Sequence, residues 1–391
     1  MKTDVAQQTW KHEGAKVKEQ KSLRFDGQPL RWIPRLKDGE SFYLHFSGGI
    51  RAARIQDDHW AFEPVLVRGQ LATFGPFSRE EIWNMARSLG ITPIAFQHSG
   101  WSNGSYYSKW VPIIPGRSNH MLGAADLWRN ISSRIGDERC GHRLNSLSTP
   151  SHEDIAAIID DQQPDEKLAQ FVALSLRGMD ISVEHISAFY YEQLVDLMAT
   201  DQLNGERVSV TLDQVLNTHV HSFFMHAGAA RDYLASFIAL RIGEDPAKLD
   251  SYKLLCKKLR SRHLGMDPLL AYLVARGLIK ESKQKGQWET GGWMWELTDL
   301  RNTFTHRRPY GSRFAEHSGI AIPLSPAGQL YRYRRPFQTE TGEDVLDLVI
   351  KQYQRVIELF HHLAKISGFN SEMIVLTDDD IVEARMSSSQ R

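Results

Sequence analysis

The chain has 391 residues, 41% of them hydrophobic, with 47 basic and 47 acidic side chains and a formal net charge of zero. That length accommodates two globular domains, and the charge balance excludes a whole-molecule field that gathers nucleic acid, so any grip on a polyanion must come from a local patch. Two cysteines, Cys140 and Cys256, argue against a disulfide framework, and no apolar run reaches the length of a membrane span, so a cytoplasmic protein without membrane contact is expected.

Residues 1–22 are polar and lysine-rich without apolar period and read as a flexible arm. From there to about 120, short aromatic and β-branched runs are broken by Gly and Pro. Ser41 to Phe46 before Gly48-Gly49, and Trp60 to Val67 before Gly69, read as strands. Ser78 followed three residues on by Glu81 is a capping box and predicts a helix over 78–87. The stretch from His98 to Trp110 reads as an aromatic hairpin, packing on its sheet or offering a ligand surface. Residues 141–165 read as a connection with one short helix, followed by helices at 165–177 and 183–199.

The clearest periodicity lies at 211–242, where Leu212, Leu216, Val220, Phe223, Ala227, Ala230, Leu234 and Phe237 form an apolar stripe. His219, His226 and Tyr233 fall in one row at its edge, two turns apart, too far for two of them to share a tetrahedral metal ion. Bundle-edge packing and the lining of a cleft are both open for that row. Helices follow at 247–262 and 267–279, the latter starting at an Asp267 N-cap with Pro268 in its first turn. Arg332, Arg334 and Arg335 interleave with Tyr331, Tyr333 and Phe337, as in a strand or a stacking surface for nucleic acid. A last amphipathic helix covers 343–367, with His361 and His362 expected at its surface, and the tail from 371 reads as loose.

The chemistry concentrates at 293–309. Trp293, Leu297, Leu300 and Phe304 recur at helical period and Pro309 ends the run, which sets Arg301, Asn302 and His306 on its last turns. A helix C-terminus favours a protonated imidazole, and a histidine near neutrality is suited to exchange protons with a ribose 2′-hydroxyl or a leaving oxygen. Bare Arg-to-His spacing is a weak signal, since Arg54 to His59 repeats the interval. Context singles out 301–306: a helix, an Asn after the Arg, Leu300 before it, Glu296 upstream, and Arg307 and Arg308 at the basic end.

Leu300, Arg301, Asn302 and His306 on a closing helix resemble the signature of the HEPN superfamily, whose active members carry Arg, four to six residues, then His. The resemblance covers roughly residues 206–370. It implies a helical bundle that dimerises with two motifs facing each other and, in many members, metal-independent endoribonuclease activity in toxins and antiviral defence. On that basis Arg301, Asn302 and His306 are the expected catalytic residues, with Glu296 or Asp299 holding Arg301 in its rotamer, and Arg307, Arg308, Arg313 and His226 contacting RNA. No metal and no cofactor is expected.

The expected class is α+β: a small N-terminal α+β domain over 23–145, a helical connector over 146–205, an all-α HEPN-like bundle over 206–370 and a tail over 371–391. The N-terminal part is expected to take a regulatory ligand or protein, and the assembly to be a homodimer. The alternative is a non-catalytic HEPN-type scaffold that binds a nucleotide or a partner protein through the same helix face. Geometry separates the two, because a catalytic pair opens onto basic groups whereas a structural one is buried against Glu296 or Asp299. The chain lacks GxxxxGK[ST], HExxH and paired CxxC motifs, leaving P-loop hydrolysis, zincin proteolysis and zinc fingers without support.

Overall fold

The computed structural model describes residues 40–56, 58–102, 104–114, 122–209, 213–324, 329–337 and 342–372; the expected arm and most of the tail lie outside them. The protein is mixed α+β, an antiparallel sheet followed by a helical region. It divides into two compact units. The first comprises 1–110, 186–210 and 315–347, and the second 111–185, 211–314 and 348–391.

In the first unit, β1 (Ser41–Phe46), β2 (Ile50–Gln56), β3 (His59–Val67), β4 (Gln70–Ser78), β5 (Pro93–Ser102) and β6 (Ser105–Pro112) form one sheet in the order β4-β3-β2-β1-β5-β6. The β1–β2 connection needs glycine. Gly48 and Gly49 have φ of +74° and +76°, and a Cβ on Gly48 would stand 2.6 Å from Cβ of Arg332. Alternation along the strands sorts the sheet into two faces. Phe46 and Phe62 belong to an aromatic cluster with Trp83 of helix α1 (Arg79–Ser88), whose expected capping box at Ser78 and Glu81 is present. His45, Arg51 and Glu63 stand opposite one another in register and face Ser187 and Tyr191.

The second unit holds α2 (Ala124–Asn145), α3 (His152–Asp160), α4 (Pro164–Ala199) up to His185, α5 (Asp213–Arg241), α6 (Tyr252–Lys258), α7 (Pro268–Ala275), a β8–β9 hairpin (Ile279–Glu281, Trp288–Thr290), α8 (Gly292–Asn302) and α9 (Val345–Ile366) from Leu348. Trp128 sits in its core, donating Nε1–H to the Phe360 carbonyl at 2.9 Å, with its ring 5.5 Å from Phe237. Asp267 caps α7 on the amides of Leu269 and Leu270, with Pro268 next, as the sequence predicts. The two helices expected at 165–177 and 183–199 are one continuous α4. The helix expected over 247–262 is confined to α6, and His361, expected at the surface, is buried.

The arginine-rich segment forms strands: β7 (Val208–Ser209), β10 (Ser318–Pro323) and β11 (Tyr331–Arg334) make a small sheet of the first unit. Arg335 is fully buried, its Nε–H donated to the Glu316 carbonyl at 2.8 Å, and Arg332 pairs with Asp347 at 2.7 Å. Neither is presented as a stacking platform. Among the described residues no helix is long and apolar enough to cross a membrane.

Candidate functional site

The motif helix lies on α5. Phe304 is buried, its ring 4.7 Å from Phe224 and 5.9 Å from His221, and Thr305 donates its hydroxyl to Sδ of Met225 at 3.4 Å. A little further along, Arg231 donates to the hydroxyl of Thr298. Residues 221, 224, 225, 228 and 231 share one side of a helix at about 100° per residue, and that side carries α8.

Gly228 is the closest point. A Cβ there would stand 3.0 Å from Nε and 3.3 Å from Cδ and Cγ of Arg301, so the arginine stem lies flat on bare backbone of α5. Its Nε is buried and has no hydrogen-bond partner, and Arg301 makes no ion pair among the described residues. A charged group held this way retains donors for an incoming anion.

The acidic residues expected to hold Arg301 are engaged elsewhere. Glu296 takes Lys351 and Arg355 of α9, each at 2.8 Å. Burial works against its charged form, but the two cations outweigh it and keep its carboxyl below the ordinary value. Asp299 pairs with Arg307 at 3.4 Å. Four cations therefore surround two carboxylates, Arg301, Arg307, Lys351 and Arg355 against Glu296 and Asp299, and the helix surface is locally basic in a chain of zero net charge.

The α-helix gives way to a π turn over Thr303–Arg307, with Arg308 N–H bonded to the Thr303 carbonyl at 2.7 Å. Five residues exceed an α-turn by more than a quarter of a revolution, whereas a π turn closes on i→i+5. The wider winding swings His306 back toward the side of Arg301 and Asn302. His306 is exposed, Asn302 half-buried, and neither side chain makes a hydrogen bond among the described residues. Arg308 is half-buried; Arg313 is exposed, next to Phe314 at 93% exposure.

His226, expected to contact RNA beside this motif, belongs to the opposite side of α5. There Gly178 of α4 leaves room for its ring; a Cβ would meet three ring atoms at 2.6 Å. The whole row packs this way in one antiparallel register: Phe171 on Tyr233 at 5.1 Å, Ser182 on Ser222 at 3.2 Å, and His185 stacked on His219 at 4.3 Å. Burial lowers the pKa of His219 and His226, with the His185 charge adding to the effect at His219. About 200° separates His226 from Gly228 on an α-helix, which removes it from the Arg301 cluster.

A second polar cluster, unread in the sequence, lies in the first unit. Arg51 bonds the buried Glu63 and lies over the rings of Tyr43 and Tyr191 at 4.2 and 3.7 Å. Burial raises the Glu63 carboxyl above its ordinary value against the Arg51 charge, and Glu63 Oε2 has no hydrogen-bond partner. His45, buried beside them, is lowered to about 3 by burial and by Arg51, so it stays neutral. The only advance signal was an alternation that puts charge on a buried strand face.

Among the described residues no three His, Cys, Asp or Glu side chains group to hold a metal ion. No protein-family profile matches the chain, and comparisons with curated proteins and with solved structures return no significant match.

Proposed function

We propose that this protein is a metal-independent endoribonuclease of HEPN type, acting as a cytoplasmic effector in a toxin or antiviral-defence role. The observation that carries the reading is Arg301 itself: its stem lies on Gly228, both nearby carboxylates are claimed by other cations, and its guanidinium is left without an ion pair one π turn from the exposed His306. A purely structural arginine would have taken one of those carboxylates.

In the reaction the ribose 2′-oxygen attacks the adjacent phosphorus and the bond to the 5′-oxygen breaks. His306 takes the 2′-hydroxyl proton or supplies one to the departing oxygen, and Arg301 neutralises charge on the phosphate oxygens in the transition state. Asn302 orients His306 or the phosphate. A homodimer with two such helices near its two-fold axis would supply one histidine as base and the other as acid, and would double a thin basic footprint. The test is incubation of purified protein with RNA in EDTA. Cleavage by the wild type and none by His306→Ala supports the proposal; loss of wild-type cleavage on chelation, with recovery on adding magnesium, overturns it.

A further inference from the structure

We infer that the site takes single-stranded RNA and that Trp295 is the platform on which one unpaired base stacks. The inference rests on the ribonuclease reading above and names its substrate class. Trp295 is 60% exposed on α8, although tryptophan carries one of the largest apolar surfaces of any side chain, and its ring meets no other aromatic ring among the described residues. Seven residues separate it from Asn302, two α-turns with a residual of about 20°, so the two share a helix face about 10 Å apart. Asp299 lies between them on that face, its charge met by Arg307. Past Asn302 the π turn brings His306 round toward the same side.

An exposed indole, a neutralised carboxylate, an amide and an imidazole thus follow one another along a single stripe, with the unpaired Arg301 at its edge. Base–aromatic stacking beside a cationic track is how proteins hold single strands without reading sequence. About 10 Å is some three base rises in a stacked strand and fewer in an extended one, so the stacked base lies within a few nucleotides of the scissile phosphate. A duplex keeps its bases paired and gives the indole no free face.

The test is fluorescence anisotropy of a short fluorescein-labelled single-stranded RNA of mixed sequence, and of its duplex, with full-length His306→Ala protein, which leaves the probe uncut. Adding Trp295→Ala is expected to weaken single-strand binding about tenfold, within the range for one base–aromatic stack, while Trp295→Phe retains most of it and duplex binding is unmoved. Equal affinity with and without Trp295 overturns the inference even where Arg301→Ala abolishes cleavage by the otherwise native chain, so the two readings fail separately. A Trp295→Ala protein that falls to a smaller oligomer by light scattering also overturns it, making the indole a subunit contact. Loss of binding in both the Ala and the Phe variants with an unchanged melting temperature overturns the stacking role as well.

Discussion

The two sides of α5 present the same ingredients with opposite outcomes. Facing α4, His219, His226 and Tyr233 sit in a row at two-turn spacing, and each finds a partner: a histidine ring, a glycine hollow, a phenylalanine. Facing α8, a second glycine hollow at Gly228 receives Arg301, and there the polar end is left unmatched while neighbouring carboxylates pair with other cations. Histidines at helical period are therefore no guide by themselves. What separates packing from chemistry is whether the polar atoms are satisfied, because an unmatched buried donor costs about 1–3 kcal/mol and persists only where something else supports it.

The largest expected effect breaks the symmetry of that comparison directly. Arg301→Ala and His306→Ala should each lower RNA cleavage by about a hundredfold or more, in the range for one acid–base or charge-stabilising group, while His219→Ala and His226→Ala leave it within about twofold. Comparable losses on both sides, measured as initial rates on one substrate, would return the histidine row to the active site.

Next is the support of the α4 side. Asp180 on α4 is buried, accepts the Tyr353 hydroxyl at 2.6 Å, and has its pKa raised to about 7 by burial, against the opposing charge of Arg177. A carboxyl raised from an ordinary 3.8 contributes fully at pH below that value, loses its contribution as pH rises toward 7 and is constant above. Asp180→Asn should therefore gain stability relative to the wild type by up to a few kcal/mol between pH 4 and 7, read by denaturant midpoints across that window. A parallel pH profile in the two proteins would contradict it.

Smaller effects come from the two glycines. Gly178→Ala drives a Cβ into the His226 ring and should cost about 1 kcal/mol net of the helix propensity it gains, with His226→Ala relieving the loss. Gly228→Ala, at 3.0 Å from a flexible arginine, should leave the melting temperature unchanged or higher yet slow cleavage about tenfold by lifting Arg301. The smallest is Glu296→Gln, which frees Lys351 and Arg355 at a half-exposed position and should cost under about 1 kcal/mol.

Local signals were legible in the sequence: the capping box at Ser78, the Asp267-Pro268 start, the strands around Phe42 and Phe62, the α5 stripe, and the motif helix up to Asn302. Long-range choices were not. Glu296 has acidic and basic candidates throughout its own helix, yet its partners stand 55 and 59 residues away in the chain. Gly178 and Ser182 read as a helix break because glycine and serine weaken helices, but in α4 the first admits His226 and the second bonds Ser222. The π turn has no sequence signature, and neither has the fit of Arg301 on Gly228, which follows from how two distant helices meet.

The central claim is that side chains of one helix perform transesterification, and the chemistry of the product ends tests it most directly. Mass spectrometry of RNA fragments made by the wild-type protein in EDTA should find 2′,3′-cyclic phosphates and 5′-hydroxyls, with neither made by Arg301→Ala. Fragments ending in 3′-hydroxyls and 5′-phosphates, or cyclic phosphates made equally well without Arg301, would contradict it.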